Sequence, residues 1–400
     1  MALRWRILAL LFLVRTTLAF QFQAVGALSP AFQDDFGVGL ADIGLLIGLY
    51  FAPGFFLAVP GGALGRRFGA KHVVVAGLAL MTAGGALMAL SDAWIGQIAG
   101  RLIAGIGGVL LNVLMTKMVT DWFAGKEITF SLAAFVMSWP VGIATALIVL
   151  PIIGETAGLR AALTLIAVLT AAGLAAIALF YRAPEGAETN GATATASGEV
   201  RGSLLGAVIA AGCIWGIYNG ALSTVFSFGP DLFISRGMSP AAAGSTTSII
   251  MWMLAGIGSF AGFLVDWTGR RYLILVGGNL GFAIFVLIGS WTDQILLNVI
   301  AMGAFSGVAV GAMMSLPAIV LPPQARALGM GIFFAVFYLF QAGGPMVGGV
   351  VAEATGNIGA TYVYAAMLLA FSVAILPVYH VLAMKVQRRQ AMPRSDEVDE

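Results

Sequence analysis

Charged residues are scarce in this 400-residue chain, where Lys, Arg, Asp and Glu together make up 10% of the sequence. A soluble domain usually carries about 25% charged residues, so water is not the main solvent of this chain. Cysteine occurs once, as Cys213, and the two histidines are far apart in the sequence. An internal disulfide is therefore excluded, and we expect neither a metal site nor a cofactor.

Catalytic motifs are missing as well. The sequence contains no G-x-x-x-x-G-K-[ST] phosphate loop, no H-E-x-x-H and no G-x-S-x-G. ATP hydrolysis and the common hydrolase chemistries thus have no support, and we do not expect an enzyme. The small net charge of +2 comes from basic residues in certain loops, so we expect no nucleic-acid partner.

Apolar residues dominate what is present: 60% of the chain is hydrophobic and the mean hydropathy is +0.99. Each long apolar run covers about 20 residues, the length that a helix needs to cross a bilayer. The runs begin near residues 7, 43, 73, 94, 128, 161, 203, 241, 272, 296, 328 and 360. Because backbone groups in lipid must be satisfied within the segment, the sequence predicts an all-α membrane protein with twelve transmembrane helices.

Basic residues are distributed unevenly between the predicted loops. On one side of the membrane lie 16 of the 20 Lys and Arg residues, whereas the opposite loops contain only Arg160 and Arg236. Cytoplasmic loops retain positive charge. We therefore expect both termini in the cytoplasm of a multi-pass protein of the cell membrane, in a bacterium the inner membrane. Arg15 interrupts the first run and no cleavage site follows, so we expect the first helix to be retained.

The chain divides into two similar halves. Residues 182–202 are rich in Ala, Thr, Gly and Glu without an apolar period, and are predicted to form a cytoplasmic linker. The linker separates six spans in residues 1–181 from six spans in residues 203–384, and residues 385–400 form a cytoplasmic tail. The motif G-A-L-G-R-R-F-G-A-K from Gly62 recurs as G-F-L-V-D-W-T-G-R-R from Gly262. This repetition indicates related halves, as in many transporters.

Both loop motifs resemble the pattern G-x-L-x-D-R-x-G-x-R-R of the major facilitator superfamily. Arg101 to Gly105 resembles the R-x-x-x-G of that superfamily, and Gly344 to Gly349 resembles its G-P-x-x-G-G. The resemblance covers the whole chain and implies a transporter of two six-helix repeats, the major facilitator fold. Where the pattern has Asp, the first loop has Arg66. Three segments are similar, more narrowly, to the cyanate-permease-like branch: R-T-T-L-A-F-Q-F-Q from Arg15, V-P-G-G-A-L-G-R-R from Val59 and S-W-P-V-G from Ser138.

The resemblance also implies which residues take part in conformational change. Proline removes a backbone hydrogen bond and bends a helix, so Pro140 and Pro345 are expected to interrupt corresponding spans of the two halves, either as hinges for alternating access or as fixed kinks. The other predicted gating residues lie in the two repeated loops: Gly62, Arg67, Gly69, Lys71, Gly262, Asp266, Gly269, Arg270 and Arg271.

Two arginines lie inside predicted spans, whereas all 18 acidic residues are expected in loops or tails. A charge inside a membrane costs at least about 2.5–3.5 kcal/mol and normally faces a wet cavity or a partner. With no acid at similar depth, an anionic substrate is the natural counter-charge for Arg15 and Arg101. Snorkelling of Arg15 toward the interface and inter-helix hydrogen bonding by Arg101 are the alternatives.

Amide and aromatic side chains complete the predicted substrate site, since small-ligand sites combine apolar walls with a few polar groups. Gln23 is placed to share a cavity wall with Arg15, and Asn112 lies on the helix face of Arg101. The remaining candidates are Trp215, Tyr218, Asn219, Trp252, Tyr338 and Gln341. Ordinary helix packing is the alternative for these stripes.

These expectations combine into a secondary or facilitative transporter that moves a small anionic solute by alternating access and acts as a monomer. A drug or neutral-solute exporter is the alternative, but it predicts G-P-x-x-G-G in the fifth span, where this chain has Ser138-Trp139-Pro140. A membrane receptor or an intramembrane enzyme is the alternative from another class, and an enzyme would require a buried catalytic dyad that the sequence does not offer.

Overall fold

The computed structural model describes residues 3–124, 127–184 and 200–391, and within these ranges the regular structure is helical throughout. Most of the predicted linker and the end of the predicted tail lie outside the described residues. The helices before the linker, which we call the first half, are α1 Leu3–Ala27, α2 Ser29–Phe36, α3 Leu40–Leu49, α4 Ala52–Phe68, α5 Ala70–Leu90, α6 Trp94–Phe123, α7 Ile128–Val136, α8 Ser138–Ala157 and α9 Leu159–Phe180. The helices after it, the second half, are α10 Gly202–Ile234, α11 Pro240–Thr268, α12 Arg271–Gly289, α13 Ile295–Met314, α14 Leu316–Val320, α15 Arg326–Thr355, α16 Ala360–Ala374 and α17 Leu376–Ala391.

Twelve stretches of the described chain are long and apolar enough to cross a membrane. They begin within a few residues of the predicted apolar runs, so the prediction of a twelve-span helical protein is confirmed. Four of the stretches consist of two helices in sequence, namely α3 with α4, α7 with α8, α13 with α14, and α16 with α17.

Proline explains why these four spans are broken. A proline lies two or three residues beyond each break: Pro53, Pro140, Pro317 and Pro377. Its missing N–H leaves the carbonyl four residues earlier without a helical partner, while a proline in the first turn of the next helix is well tolerated. The expectation for Pro345 is wrong in this respect, because α15 continues through it from Arg326 to Thr355.

Close backbone approach joins the two halves at α3 and α15. A Cβ on Gly44 would overlap the carbonyl of Pro345, and a Cβ on Gly48 would overlap the carbonyl of Ala342. Small residues allow helices in a membrane to pack at this distance. At the same end of the molecule the Glu353 carboxylate accepts a hydrogen bond from the backbone N–H of Ala41 at 2.9 Å, in the first turn of α3.

The halves also meet through α4 and α15 away from this end, where a Cβ on Gly331 would lie 3.1 Å from Val59. Two further inter-half contacts lie at the same end as Glu353. A Cβ on Gly244 of α11 would overlap the carbonyl of Leu147 in α8, and a Cβ on Gly26 of α1 would lie 2.9 Å from the backbone of Ser227 in α10. In contrast, α6 and α7 pack against helices of the first half, and α13 and α14 against helices of the second. We call the end that contains Glu353 the acidic end.

The expectation that every acidic residue lies in a loop or tail is wrong, because the helices extend beyond the apolar runs. Asp231 lies within α10, Asp121 within α6 and Glu353 within α15. The Asp231 carboxylate is at the acidic end, where one oxygen lies 3.5 Å from the Gln33 side-chain amide of α2. These acids are near helix ends, and none of them is a hydrogen-bond partner of Arg15 or Arg101.

Candidate functional site

Arg15 is a buried cation whose hydrogen-bond partners are all neutral. Its side chain is 9% exposed at the middle of α1, and its Nε and Nη2 donate to Oδ1 of Asn112 at 3.3 and 3.2 Å. Nη1 donates to the carbonyls of Phe135 and Val136 at 3.1 and 3.3 Å and to Oγ of Ser138 at 3.4 Å. The guanidinium also lies 4.7 Å from the centroid of the Phe135 ring. These partners engage each nitrogen of the guanidinium, but no described acid among them balances its charge.

The break between α7 and α8 supplies two of these acceptors. Because Pro140 has no N–H, the carbonyl of Val136, four residues earlier, cannot be used by the helix and is free for Arg15. Ser138 donates its hydroxyl to the carbonyl of Phe135 at 2.6 Å and so lies beside the same guanidinium. A proline predicted as a hinge therefore also shapes the surroundings of the buried arginine.

Asn112 connects Arg15 to the second half. Its Oδ1 accepts from Arg15 on α1, while its Nδ2 donates to the hydroxyl of Tyr338 on α15 at 3.3 Å. Tyr338 is 1% exposed, and its ring fills the space where Gly54 lacks a side chain. One chain of hydrogen bonds thus crosses from the first half to the second, and any relative movement of the halves at this level must break or rearrange it.

An aromatic cluster continues from Tyr338 between the halves. The ring centroids of Tyr338 and Phe51 are 5.7 Å apart, as are those of Phe51 and Trp139. Phe22 stacks on Trp139 at 5.5 Å and meets Phe226 of α10 edge-on at 6.1 Å. Such offset and edge-on pairs are favourable arrangements of aromatic rings. We call Arg15, Asn112 and these five aromatic residues the central cluster.

Two glutamines border this region with unused polar atoms. Gln23 is 1% exposed and donates its Nε2 to the carbonyl of Phe226 at 3.2 Å, across the halves. Gln341, one turn from Tyr338, is 4% exposed. In the described part of the chain, neither the Oε1 atom of Gln23 nor that of Gln341 has a hydrogen-bond partner. Buried polar atoms are usually paired, so both amides are candidates for contact with a bound molecule.

Arg101 is engaged differently. It is fully buried, and its Nε and Nη1 donate to the carbonyls of Leu46 at 3.0 Å and Gln21 at 2.8 Å, while Nη2 donates to the carbonyl of Phe22. Its guanidinium also lies 4.5 Å from the centroid of the Tyr50 ring. Since these contacts tie α6 to α1 and α3 within the first half, the geometry favours the inter-helix role over contact with a substrate.

The predicted aromatic candidates of the second half lie outside the central cluster. Trp215 stacks on Tyr218 at 5.8 Å, and the Tyr218 hydroxyl donates to the carbonyl of Ser306 on α13 at 2.8 Å. Asn219 donates to the carbonyl of Trp215 on its own helix, and Trp252 is 44% exposed. These contacts lie within the second half. Of the predicted substrate-site residues, Arg15, Asn112 and Tyr338 are joined by hydrogen bonds, and Gln23 donates to the carbonyl of Phe226 in the same cluster.

The repeated loops have local structural roles where they are described. Gly69 and Gly269 adopt positive φ angles of 82° and 64°, which favour glycine. Lys71 donates to the carbonyls of Ala178 and Tyr181 at 3.0 and 2.8 Å, which joins this loop to the end of α9. The side chain of Asp266 lies outside the described part of the structure, so the predicted contact between an acid and a base in the second loop stays a prediction.

Sequence reasoning missed three aromatic members of the cluster as site residues: Phe22, Phe51 and Trp139. They come from α1, the junction of α3 and α4, and α8, so no single helix shows them as a stripe. Two signals were present, since Phe22 adjoins Gln23, and Trp139 lies in the Ser138-Trp139-Pro140 segment. The prolines that break two of the spans place Phe51 and Trp139 next to breaks.

Comparisons with known proteins agree with this architecture. A family model described as Major Facilitator Superfamily matches residues 11–235 and 204–396. Over 139 residues the chain is 34% identical to the inner membrane transport protein YajR of Escherichia coli strain K12, which covers 35% of this chain and 30% of YajR. Over 93 residues it is 39% identical to the multidrug resistance protein MdtH of Yersinia enterocolitica, 23% of either chain. The matched segments span less than a third of these curated relatives.

Solved structures with the same fold cover nearly the whole chain. The inward open xylose transporter XylE of Escherichia coli has a TM-score of 0.74 at 14% identity, over 93% of this chain and 96% of that chain. An inward-facing bacterial homologue of the human lysosomal transporter Spinster has a TM-score of 0.73 at 16% identity, over 98% and 99% of the two chains. At these identities the likeness shows the fold alone.

Proposed function

We propose that the chain, which belongs to the Major Facilitator Superfamily and is a membrane transporter, not an enzyme, moves a small anionic solute by alternating access. The observation that carries the proposal is the buried Arg15, which among the described residues hydrogen-bonds only to neutral groups and is linked through Asn112 to Tyr338 of the other half. A cation held inside a membrane span costs at least about 2.5–3.5 kcal/mol, and a bound anion would recover part of that free energy.

The position of Arg15 suits a carrier as well as a binding protein. The hydrogen bonds from Arg15 through Asn112 to Tyr338 reach both halves, so a solute bound there would respond to their relative movement. The closest backbone contacts between the halves lie at the acidic end. A solute in the central cluster would lie where the halves meet, as substrates do in transporters built from repeats. We propose the same division of the chain, with a linker at residues 182–202 and both termini in the cytoplasm.

Export of a neutral, apolar solute is the second candidate. The aromatic cluster favours it, and so does the 93-residue similarity to a protein named for multidrug resistance. This candidate assigns Arg15 a structural role only. The cyanate-permease-like branch stays a narrower prediction that rests on the R-T-T-L-A-F-Q-F-Q, V-P-G-G-A-L-G-R-R and S-W-P-V-G segments alone.

The test is anion binding to the purified full-length protein. We expect at least one of nitrate, cyanate, acetate or benzoate to raise the melting temperature, because a ligand stabilises the state that it binds. Arg15→Gln should abolish that shift. The matched control is Arg236→Gln, because Arg236 is also partly buried and donates to two carbonyls, those of Thr292 and Gly289, but lies outside the central cluster.

Three results separate the candidates. Loss of the anion-induced shift in Arg15→Gln, with the shift retained in Arg236→Gln, supports the proposal. An equal shift in both variants and in the parent assigns Arg15 a structural role. Stabilisation by neutral apolar solutes alone supports the export candidate.

A further inference from the structure

We propose that the transported anion is an organic carboxylate with a flat, apolar body, bound with its carboxylate at Arg15 and its body against Trp139 and Phe51. This inference rests on the proposed function and adds the class of solute. It follows from the juxtaposition of two different kinds of surface in the central cluster, a cationic hydrogen-bonding end and an aromatic end.

The cationic end retains donors that the protein does not use. Nη2 of Arg15 carries two N–H groups and makes one hydrogen bond, to Asn112. The Tyr338 hydroxyl accepts from Asn112, and its own proton has no acceptor among the described residues. The hydroxyl and the guanidinium therefore converge on Asn112 from opposite halves. A carboxylate has two oxygens that accept from such a pair, and planar guanidinium suits its geometry.

The aromatic end begins immediately beside these donors. Ser138 lies within 3.4 Å of Nη1 of Arg15, and the next residue is Trp139. Trp139 is half-buried and its ring faces those of Phe22 and Phe51, while Phe51 continues to the ring of Tyr338. The indole N–H of Trp139 has no hydrogen-bond partner within the described ranges. An apolar ring next to the carboxylate would contact this wall.

Simpler solutes match only one of the two surfaces. An inorganic anion or acetate would balance Arg15 but leave the aromatic wall without a partner. A neutral aromatic solute would use the wall but leave the buried charge without a counter-charge. Benzoate joins both features within one small molecule, and it is fully ionised at neutral pH.

The experiment measures equilibrium binding of four probes to the purified full-length protein at pH 7: benzoate, acetate, nitrate and benzamide. Benzamide has the ring without the charge, and acetate has the charge without the ring. We expect benzoate to bind at least tenfold more tightly than each of the other three. Loss of a charge-assisted hydrogen bond is expected to cost about ten- to hundredfold in affinity, and loss of an aromatic pair about three- to tenfold.

Two variants assign these differences to residues. Arg15→Gln should reduce benzoate affinity to that of benzamide, and Trp139→Leu should reduce it toward that of acetate without changing acetate binding. Trp122→Leu is the matched control, because Trp122 donates to the carbonyl of Arg182 at the far end of α6. Gel-filtration profile and circular dichroism establish that each variant is folded.

The outcomes distinguish this inference from the proposed function. If acetate or nitrate binds as tightly as benzoate, the inference is overturned while anion transport stands. If benzamide binds as tightly as benzoate, both are overturned. Folded protein that binds no benzoate, or a Trp139→Leu variant with unchanged benzoate affinity, also overturns the inference.

Discussion

Gly48 offers a direct perturbation of the contact that closes the acidic end. A methyl group there would overlap the carbonyl of Ala342 and lie 2.6 Å from Cγ of Met346. The side chain of Met346 is flexible and can move, but the backbone oxygen of Ala342 cannot do so without displacing α15. We therefore expect Gly48→Ala to destabilise the state in which α3 and α15 are in contact.

The size of the effect follows from overpacking. An extra methyl group in a well-packed interface typically costs about 1–3 kcal/mol. If the strain is relieved when the halves separate at this end, the equilibrium shifts toward the open state by roughly 5- to 140-fold, because about 1.4 kcal/mol is tenfold. Gly277→Ala is the matched control, since a methyl group on Gly277 meets nothing within 4 Å.

Cysteine labelling measures this shift. Ser227 is 1% exposed in α10 and faces Gly26 of α1 across the halves, away from the substituted contact. In a Cys213→Ser background, Ser227→Cys provides a single thiol that a maleimide reaches only when the acidic end opens. We expect labelling to accelerate in Gly48→Ala and to stay unchanged in Gly277→Ala. Unaltered labelling in a folded Gly48→Ala protein would refute the assignment of this contact as a gate.

Two further predictions concern the Arg15 surroundings and the orientation of the chain. Pro140→Ala restores an N–H donor for the carbonyl of Val136 and so removes an acceptor from Arg15 in the empty protein. Binding of the anion should therefore tighten by about tenfold, and uptake into proteoliposomes should slow. Weaker binding of the anion would contradict this account. An epitope tag inserted at Thr193, in the predicted linker, should be detected only after the cell membrane is permeabilised, as the asymmetry of basic residues predicts, and detection on intact cells would reject the proposed orientation.

The spans were predictable from sequence because length and hydropathy decide whether a segment can cross a bilayer. Arg15 was identifiable as a candidate site residue for a similar reason, since a charge within an apolar run stands out against its neighbours. Asp231 was misplaced because α10 continues to Ile234, beyond the point where its apolar run weakens. Hydropathy follows side chains, whereas helix length also depends on packing against other helices.

The central cluster could be predicted only in part. Arg15 and Asn112 are 97 positions apart, and Asn112 and Tyr338 are 226 positions apart. Helical periodicity relates residues on one helix but does not align the faces of different helices. For the same reason, sequence alone left the role of Arg101 open, because its three acceptors are backbone carbonyls that have no signature in a side-chain pattern.

The carbonyl partners of Arg15 bear on how a carrier can release what it binds. A guanidinium that lost every acceptor when its anion departed would be left buried and unsatisfied, at a cost of several kcal/mol, and the anion would be held too tightly to leave. Here Pro140 leaves the carbonyl of Val136 free, and Ser138 and Asn112 supply further acceptors. Exchange between these neutral acceptors and a carboxylate keeps most of the N–H groups satisfied in both states. The difference in free energy between occupied and empty sites then depends mainly on the unbalanced charge, which favours an anion, while the acceptors that remain for Arg15 favour its release.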